Sequence, residues 1–356
     1  MIIRELYVKQ RHLPLRVPFK TALRTAVDIE SLEVMIELEN GLTGIGAAVP
    51  TWVITGDSSE SIKAALLGPI RSAIIDEDIT NFKKVLKKVQ KCCIGNTSAK
   101  AAADIALHDL YARLLQLPLY ALLGGKGTIE TDMTVGVDDP DVMAVNAEKS
   151  VKDGFKVLKI KVGNDPTLDI ARIQAIRERI PATIKIRLDA NQGWTPKEAV
   201  RLIREMENLE LGIELVEQPV HARDLEGLKF VTDRVNTPIM ADESLFSASD
   251  ALMLVSGRYV DLLNIKLMKC GGIDEAIKLA SIAEANGIAC MIGSMMESSL
   301  SVAAAAHFAA GHPNIKFYDL DAPLWLVEEP EGMIYNGGNI QLVDVPGLGI
   351  TREKEW

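Results

Sequence analysis

The chain has no uninterrupted apolar run of about 18 residues, the length a membrane-spanning helix needs. Its first residues, Met1-Ile2-Ile3-Arg4-Glu5, lack the long apolar core of a signal peptide and read as a first strand. Basic charge is also short, since 39 Lys and Arg against 49 Asp and Glu leave a net charge of −10. Nucleic acid, which needs concentrated Lys and Arg, is not an expected partner, and neither is a membrane. The acidic balance alone points to a solvated surface and to no particular substrate. Only four cysteines occur (Cys92, Cys93, Cys270 and Cys290), with no paired metal-binding spacing. Neighbours such as Cys92 and Cys93 rarely bridge, so free thiols in a reducing cytoplasm are expected. The five histidines, His12, His108, His221, His307 and His312, fall at no strand end and are not expected to be catalysts. Low-complexity tracts and charged tails are missing as well.

What is present suits a large barrel with an added module: 356 residues, 48% hydrophobic and 25% charged. Up to about residue 50 the pattern alternates as strands do, in Ile2-Ile3-Arg4-Glu5-Leu6-Tyr7-Val8 and Ser31-Leu32-Glu33-Val34-Met35-Ile36-Glu37-Leu38. The turn Glu39-Asn40-Gly41 and the strand Gly44-Ile45-Gly46 complete an antiparallel meander. From Ser58 to about Leu123 the spacing turns helical, and Gly124-Gly125-Lys126-Gly127 marks a boundary. Residues 1–125 therefore read as an α+β module.

Beyond it, strand and helix alternate. Strand-like runs lie at 131–137, 155–161, 184–190, 213–217, 239–242, 260–266, 289–293 and 316–320. Helical stretches such as 165–179, 196–208 and 274–286 separate them. Eight strands with helical crossovers predict an α/β fold, a modified TIM barrel over 126–322. The final segment, 323–356, returns to turn-rich strands and is expected to rejoin the first module.

The ends of consecutive strands carry the chemistry. Lys161, Asp189, Glu217, Asp242 and Lys266 follow one another at steps of 28, 28, 25 and 24 residues, one strand–helix unit each. In such a barrel the C-terminal strand ends form the active face, so these side chains should ring one mouth. Three successive acids with no histidine or cysteine among them suit a hard cation, Mg²⁺ above all. Each acid alone could equally cap a helix or pair with a lysine. Lys159 and Lys161 share a strand face, and like charges so placed should depress each other's pKa. Lys266 lies about four strands away, across the mouth. Metal-stabilised loss of an α-proton, with bases on opposite faces of the resulting enolate, is the geometry of a racemase or epimerase. Lys266 could also form a salt bridge to Asp242 or Glu243, which is compatible with that role.

Lys159-Ile160-Lys161, Asp189-Ala190-Asn191, Glu217-Gln218-Pro219, Asp242-Glu243-Ser244 and Asn264-Ile265-Lys266 resemble the motifs of the enolase superfamily, muconate-lactonizing subgroup. The resemblance covers nearly the whole chain. It implies an enolase-type barrel with an N-terminal capping domain completed by the C-terminal segment. It also implies Asp189, Glu217 and Asp242 as Mg²⁺ ligands and Lys161 and Lys266 as acid/base groups. Lys159 would assist them, with Asn191 and Glu243 supporting the ligands. Asp319-Leu320-Asp321, read with both acids on one strand face, resembles the paired-aspartate signature of dipeptide epimerases, where the acids hold an α-ammonium. The pair could otherwise balance nearby lysines.

Pro18-Phe19-Lys20-Thr21-Ala22-Leu23-Arg24-Thr25 resembles the capping loop of L-Ala-D/L-Glu epimerases, which implies that Arg24 meets a glutamyl carboxylate. Arg24 could instead be a solvated loop residue. Thr51-Trp52-Val53-Ile54-Thr55-Gly56-Asp57-Ser58 resembles the second capping loop. Thr134, Ser294 and Met295 are expected in the pocket wall, and Lys269 is read as structural. One departure is Gly44-Ile45-Gly46-Ala47, where relatives carry an acid at the position of Ala47. The expected substrate is a small dipeptide, and a homo-oligomer is left open. Alternatives on the same scaffold are o-succinylbenzoate synthase, N-acylamino acid racemase and muconate cycloisomerase. A Schiff-base aldolase using Lys266 is a more distant one.

Overall fold

The computed structural model describes residues 1–20 and 25–352. Three antiparallel strands open the chain in the order β1 (Ile3–Lys20), β2 (Thr25–Leu38) and β3 (Thr43–Ala48). Along β2, residues 31–36 are all buried, as expected of a central strand covered on both faces. The helix Thr97–Leu114 packs on this sheet through small residues, among them Ala99, Ala102, Ala103 and Ala106. Glycines on β3 make the approach possible: a Cβ at Gly46 would lie 2.1 Å from the Ala102 carbonyl oxygen, and one at Gly44 2.4 Å from that of Ala106. Ala47, at the position where an acid was expected, is fully buried opposite Glu33.

After a short strand β4 (Thr128–Glu130), eight parallel strands form one sheet in sequence order. They are β5 (Met133–Val135), β6 (Val157–Lys161), β7 (Lys185–Asp189), β8 (Ile213–Glu217), β9 (Ile239–Ala241), β10 (Leu262–Lys266), β11 (Ala289–Gly293) and β12 (Ile315–Asp319). The first and last strands meet through Asp132 N–H to the Tyr318 carbonyl (3.3 Å) and Leu320 N–H to Thr131 Oγ1 (2.9 Å), so the sheet curls into a near-barrel. Helices such as Pro166–Arg179 and Pro196–Asn208 link the strands, each opening on a capping side chain (Asp165, Thr195) followed by proline. Inside the ring, Leu215, Met240, Leu262 and Met291 form an apolar floor. Above it, the strand ends turn polar.

Beyond β12, the strands β13 (Met333–Asn336) and β14 (Asn339–Leu342) form a hairpin whose second strand pairs with β4. Contacts with the first module flank this hairpin, beginning where Val327 N–H donates to the Pro14 carbonyl at 3.0 Å. Gly347 exchanges backbone bonds with Leu117 and Leu119, Leu348 N–H donates to Asp109, and Arg352 pairs with Glu33. Among the described residues no helix is long and apolar enough to cross a membrane.

Candidate active site

The parallel register brings the ionisable strand ends level. Lys161 stands opposite Asp189, and Asp189 opposite Glu217, in adjacent ladders. Asp242 follows immediately on β9, and Lys266 ends β10 beside Gly293. All are buried, and ligand oxygens of Asp189, Glu217 and Asp242 lie within 4.8 Å of one another. Three convergent carboxylates form an all-oxygen donor set that fits a hard divalent cation.

Each acid divides its two oxygens in the same way. One is fixed by a local donor: Asn191 N–H on Asp189 Oδ1 (2.9 Å), Asn264 Nδ2 on Glu217 Oε1 (2.8 Å) and Lys269 Nζ on Asp242 Oδ1 (2.5 Å). The other oxygen meets a lysine of the mouth. Asp189 Oδ2 is 3.0 Å from Lys159 and 2.6 Å from Lys161, Glu217 Oε2 is 2.8 Å from Lys159, and Asp242 Oδ2 is 2.8 Å from Lys266.

This geometry corrects one expectation. Lys159 and Lys161 do not simply repel, because Asp189 Oδ2 bridges them. Burial opposes the charge on Lys159, but Asp189, Asp319 and Glu217 outweigh it and hold its pKa well above the ordinary value. Burial likewise opposes the charge on Lys266, and Asp242 outweighs it, so that pKa is raised as well. Among the acids, burial is overcome at Asp189 by Lys159 and Lys161, which lower its pKa, and at Asp242 by Lys266 and Lys269. At Glu217 burial wins, reinforced by Asp189, and the pKa is pushed up to about 8. Glu243, buried beside Asp242 and Asp189, is pushed up to about 7.

A cavity opens above this cluster. Thr134, Lys159, Lys161, Lys266, Asp319 and Asp321 line its polar side, with Asn191, Asp242, Glu243 and Ser294. Phe19 from the first capping strand, Val53 and Ile54 from the second loop, and Met295 and Met296 after β11 line its apolar side. Glu297, itself buried, holds that last turn by accepting from Met295 N–H at 2.8 Å. Arg24 lies outside the described residues.

Asp319 and Asp321 both reach the cavity, though not as two side chains of one strand. Asp319 ends β12 and bonds Lys159 Nζ at 2.7 Å. Asp321 lies beyond the strand at the head of the helical turn Ala322–Trp325, and its Oδ2 accepts from Thr134 N–H (2.7 Å) and Trp325 Nε1 (3.1 Å). Burial and the charge of Asp319 raise the Asp321 pKa.

Residues 3–124 match the mandelate racemase / muconate lactonizing enzyme N-terminal domain, and residues 142–356 match the domain described as enolase C-terminal domain-like. The chain belongs to the enolase superfamily. Within this superfamily it is similar to the L-Ala-D/L-Glu epimerase of Bacillus subtilis, 52% identical over 342 residues that cover 95% of this chain and 93% of that one. A substrate-liganded structure of that enzyme superposes with a TM-score of 0.96 at 50% identity, covering 98% of both chains. The dipeptide epimerase of Enterococcus faecalis, solved with Mg and the dipeptide L-Leu-L-Tyr, superposes with a TM-score of 0.95 at 46% identity, covering 99% of this chain and 100% of that one.

Three residues of this enolase-type mouth escape a reading for charged strand ends. Asn264 sits two residues before Lys266 and so shares its strand face, a signal that alternation alone carries. Gln218 accepts from both Asp242 N–H (2.9 Å) and Ser244 N–H (3.2 Å), fixing the chain where β9 ends. Lys269, read as structural, touches Asp242 directly. The histidines stay away from the mouth: buried His307 accepts from Tyr120 N–H at 2.9 Å, and burial lowers its pKa to about 3.

Proposed function

We propose that this protein epimerises dipeptides at the α-carbon of the C-terminal residue, with Mg²⁺ as its metal and L-Ala-D-Glu and L-Ala-L-Glu as its main substrate pair. The observation that carries this is the position of Lys161 and Lys266. They end strands four apart in the eight-stranded ring, and both line the same cavity. A substrate α-carbon between them has a base on one side and an acid on the other.

Asp189, Glu217 and Asp242 would hold Mg²⁺, which supplies Lewis acidity toward the substrate's terminal carboxylate and takes up charge that otherwise keeps the neighbouring lysines protonated. One lysine, as the free amine, removes the α-proton, and the electron pair moves into the enolate of the substrate. The opposing lysine, as ammonium, delivers a proton to the other face. Product leaves with the configuration inverted and the two lysines exchanged in protonation. Lys159, kept charged by three carboxylates, adds fixed positive charge beside the enolate. Asp319 and Asp321 would receive the α-ammonium, a cationic group suited to two buried acids, and Thr134 and Ser294 would border the peptide backbone.

Such dipeptides would arise from cell-wall peptide turnover and be used in the cytoplasm, where the four free cysteines stay reduced. A second reading, epimerisation of dipeptides ending in a hydrophobic residue, is favoured by the wall of Phe19, Val53, Ile54, Met295 and Met296. A dipeptide library incubated in D₂O with Mg²⁺ tests both, with mass shift reporting exchange at the α-carbon. L-Ala-L-Glu should exchange fastest, and preference for L-Leu-L-Tyr would establish the second reading. Equal rates for free and N-acetylated dipeptides would defeat the ammonium subsite. Lys161→Ala and Lys266→Ala should each lose epimerisation while keeping exchange from one face, and unchanged turnover in either variant would defeat the two-base mechanism.

A further inference from the structure

We infer that Lys269 is a positioning residue for the Lys266 side of the reaction, acting through Asp242; the inference rests on the epimerase reading above. Lys269 lies in the helical turn Leu267–Cys270 directly after β10. Its side chain is fully buried, and its three ammonium protons have three acceptors: the Asp242 main-chain carbonyl, Asp242 Oδ1 at 2.5 Å and the Asn264 carbonyl at 3.2 Å. The Phe246 ring stands 5.7 Å from the same nitrogen. An apolar residue here would avoid the cost of taking an ion out of water. The charge is retained against that cost, and its contacts all fall on Asp242 and the strand end carrying Lys266.

The effect is visible in how Asp242 is held. Its residue follows β9, outside the ladder, with its N–H on Gln218 Oε1. A carboxylate fixed through one oxygen and through its own carbonyl cannot swing about its Cα–Cβ and Cβ–Cγ bonds. Oδ2 is thereby the oxygen presented to Lys266, at 2.8 Å. Asp189 and Glu217 have their inner oxygens fixed by neutral donors, Asn191 N–H and Asn264 Nδ2, whereas Asp242 is fixed by a cation. Lys269 therefore restricts Asp242 to one outward oxygen and shares its negative charge with Lys266.

The test uses full-length Lys269→Met and Lys269→Gln, with thermal unfolding to confirm folding. Mg²⁺ affinity is measured by calorimetry without substrate, and α-proton exchange in D₂O is followed for each isomer of L-Ala-Glu. Lys266→Ala identifies which isomer presents its proton to Lys266. Exchange from that face should fall about 10–100-fold, the usual effect of losing a ligand's supporting partner, while exchange from the Lys161 face changes less than about threefold. Mg²⁺ should bind at least as tightly as in the wild type, because Asp242 can then offer both oxygens and one positive charge is gone. Equal losses from both faces, weakened Mg²⁺ binding, or no loss at all would overturn the inference. A wild-type protein that exchanges no dipeptide would instead overturn the epimerase reading, and this inference with it.

Discussion

Replacing Lys159 with methionine keeps most of the apolar stem and removes an ammonium that lies 3.0 Å from Asp189, 2.8 Å from Glu217 and 2.7 Å from Asp319. At an effective dielectric constant of about 20, one contact of this length is worth about 6 kcal/mol before desolvation. Desolvation of the ions cancels much of that, and breaking a buried pair from one side costs about 3–5 kcal/mol. The upper end is expected, since three acids lose a partner together and only Asp189 keeps another mouth lysine, Lys161. The loss also depends on pH. Glu217, raised to about 8 by burial and by Asp189, binds more protons folded than unfolded, where its value is 4.5. Its penalty is absent below the unfolded value and grows as pH rises through the folded one. Without Lys159 that penalty deepens, so the variant should lose more stability at about pH 8.5 than at about pH 5.5. Urea unfolding of both proteins without added metal measures this. A loss under about 1 kcal/mol at the higher pH, or equal losses at the two, would refute the assignment of Lys159 as the charge that holds the mouth together.

Asp321→Asn keeps the shape of the side chain bonded to Thr134 and Trp325 while removing its charge, so KM for free dipeptides should rise about tenfold with a smaller change in kcat. A purely kcat effect would argue against the ammonium subsite. His307, with a folded pKa of about 3 against 6.5 unfolded, stabilises the fold fully above the higher value. That contribution disappears as pH falls toward the lower one, about 5 kcal/mol in total. His307→Gln should flatten this part of the stability–pH curve, and an unchanged slope would refute it. Gly46→Val places a Cβ 2.1 Å from the Ala102 carbonyl oxygen and should cost about 1–3 kcal/mol by thermal unfolding, with a neutral result contradicting the close packing.

The mouth is legible in the sequence because a barrel repeats one strand–helix unit, and each ionisable station closes an apolar run. Ile213–Glu217 and Ala289–Gly293 fall where the pattern puts them. The first barrel strand is shorter than its strand-like run implies: only Met133–Val135 joins the ladder, since Thr131 N–H donates instead to the Gly338 carbonyl (2.7 Å) and Asp132 N–H to the Tyr318 carbonyl (3.3 Å). Charge balance is harder to read. The acids around Lys159 come from β7, β8 and β12, and which of them lies within reach depends on how the sheet curls. Asp321 misleads for a related reason, since its strand has already ended and a turn, not the pleat, aims it into the cavity. Lys269 belongs to a helical turn whose direction no periodicity of one turn's length reveals.

The return of the chain's end to its beginning has a consequence for biosynthesis. Asp109, buried in the first module, has Oδ1 bonded to the Leu348 N–H at 2.7 Å. Strand β1 bonds Val327 through the Pro14 carbonyl at 3.0 Å, and Arg16 reaches the Leu326 carbonyl at 2.6 Å. The first module is therefore made before the segment that completes it. Until residues 326–352 emerge, Asp109 lacks this donor and β1, though paired with β2, lacks the Val327 N–H on its Pro14 carbonyl. A chain cut before residue 326 should therefore leave this edge of β1 open to pairing with other chains.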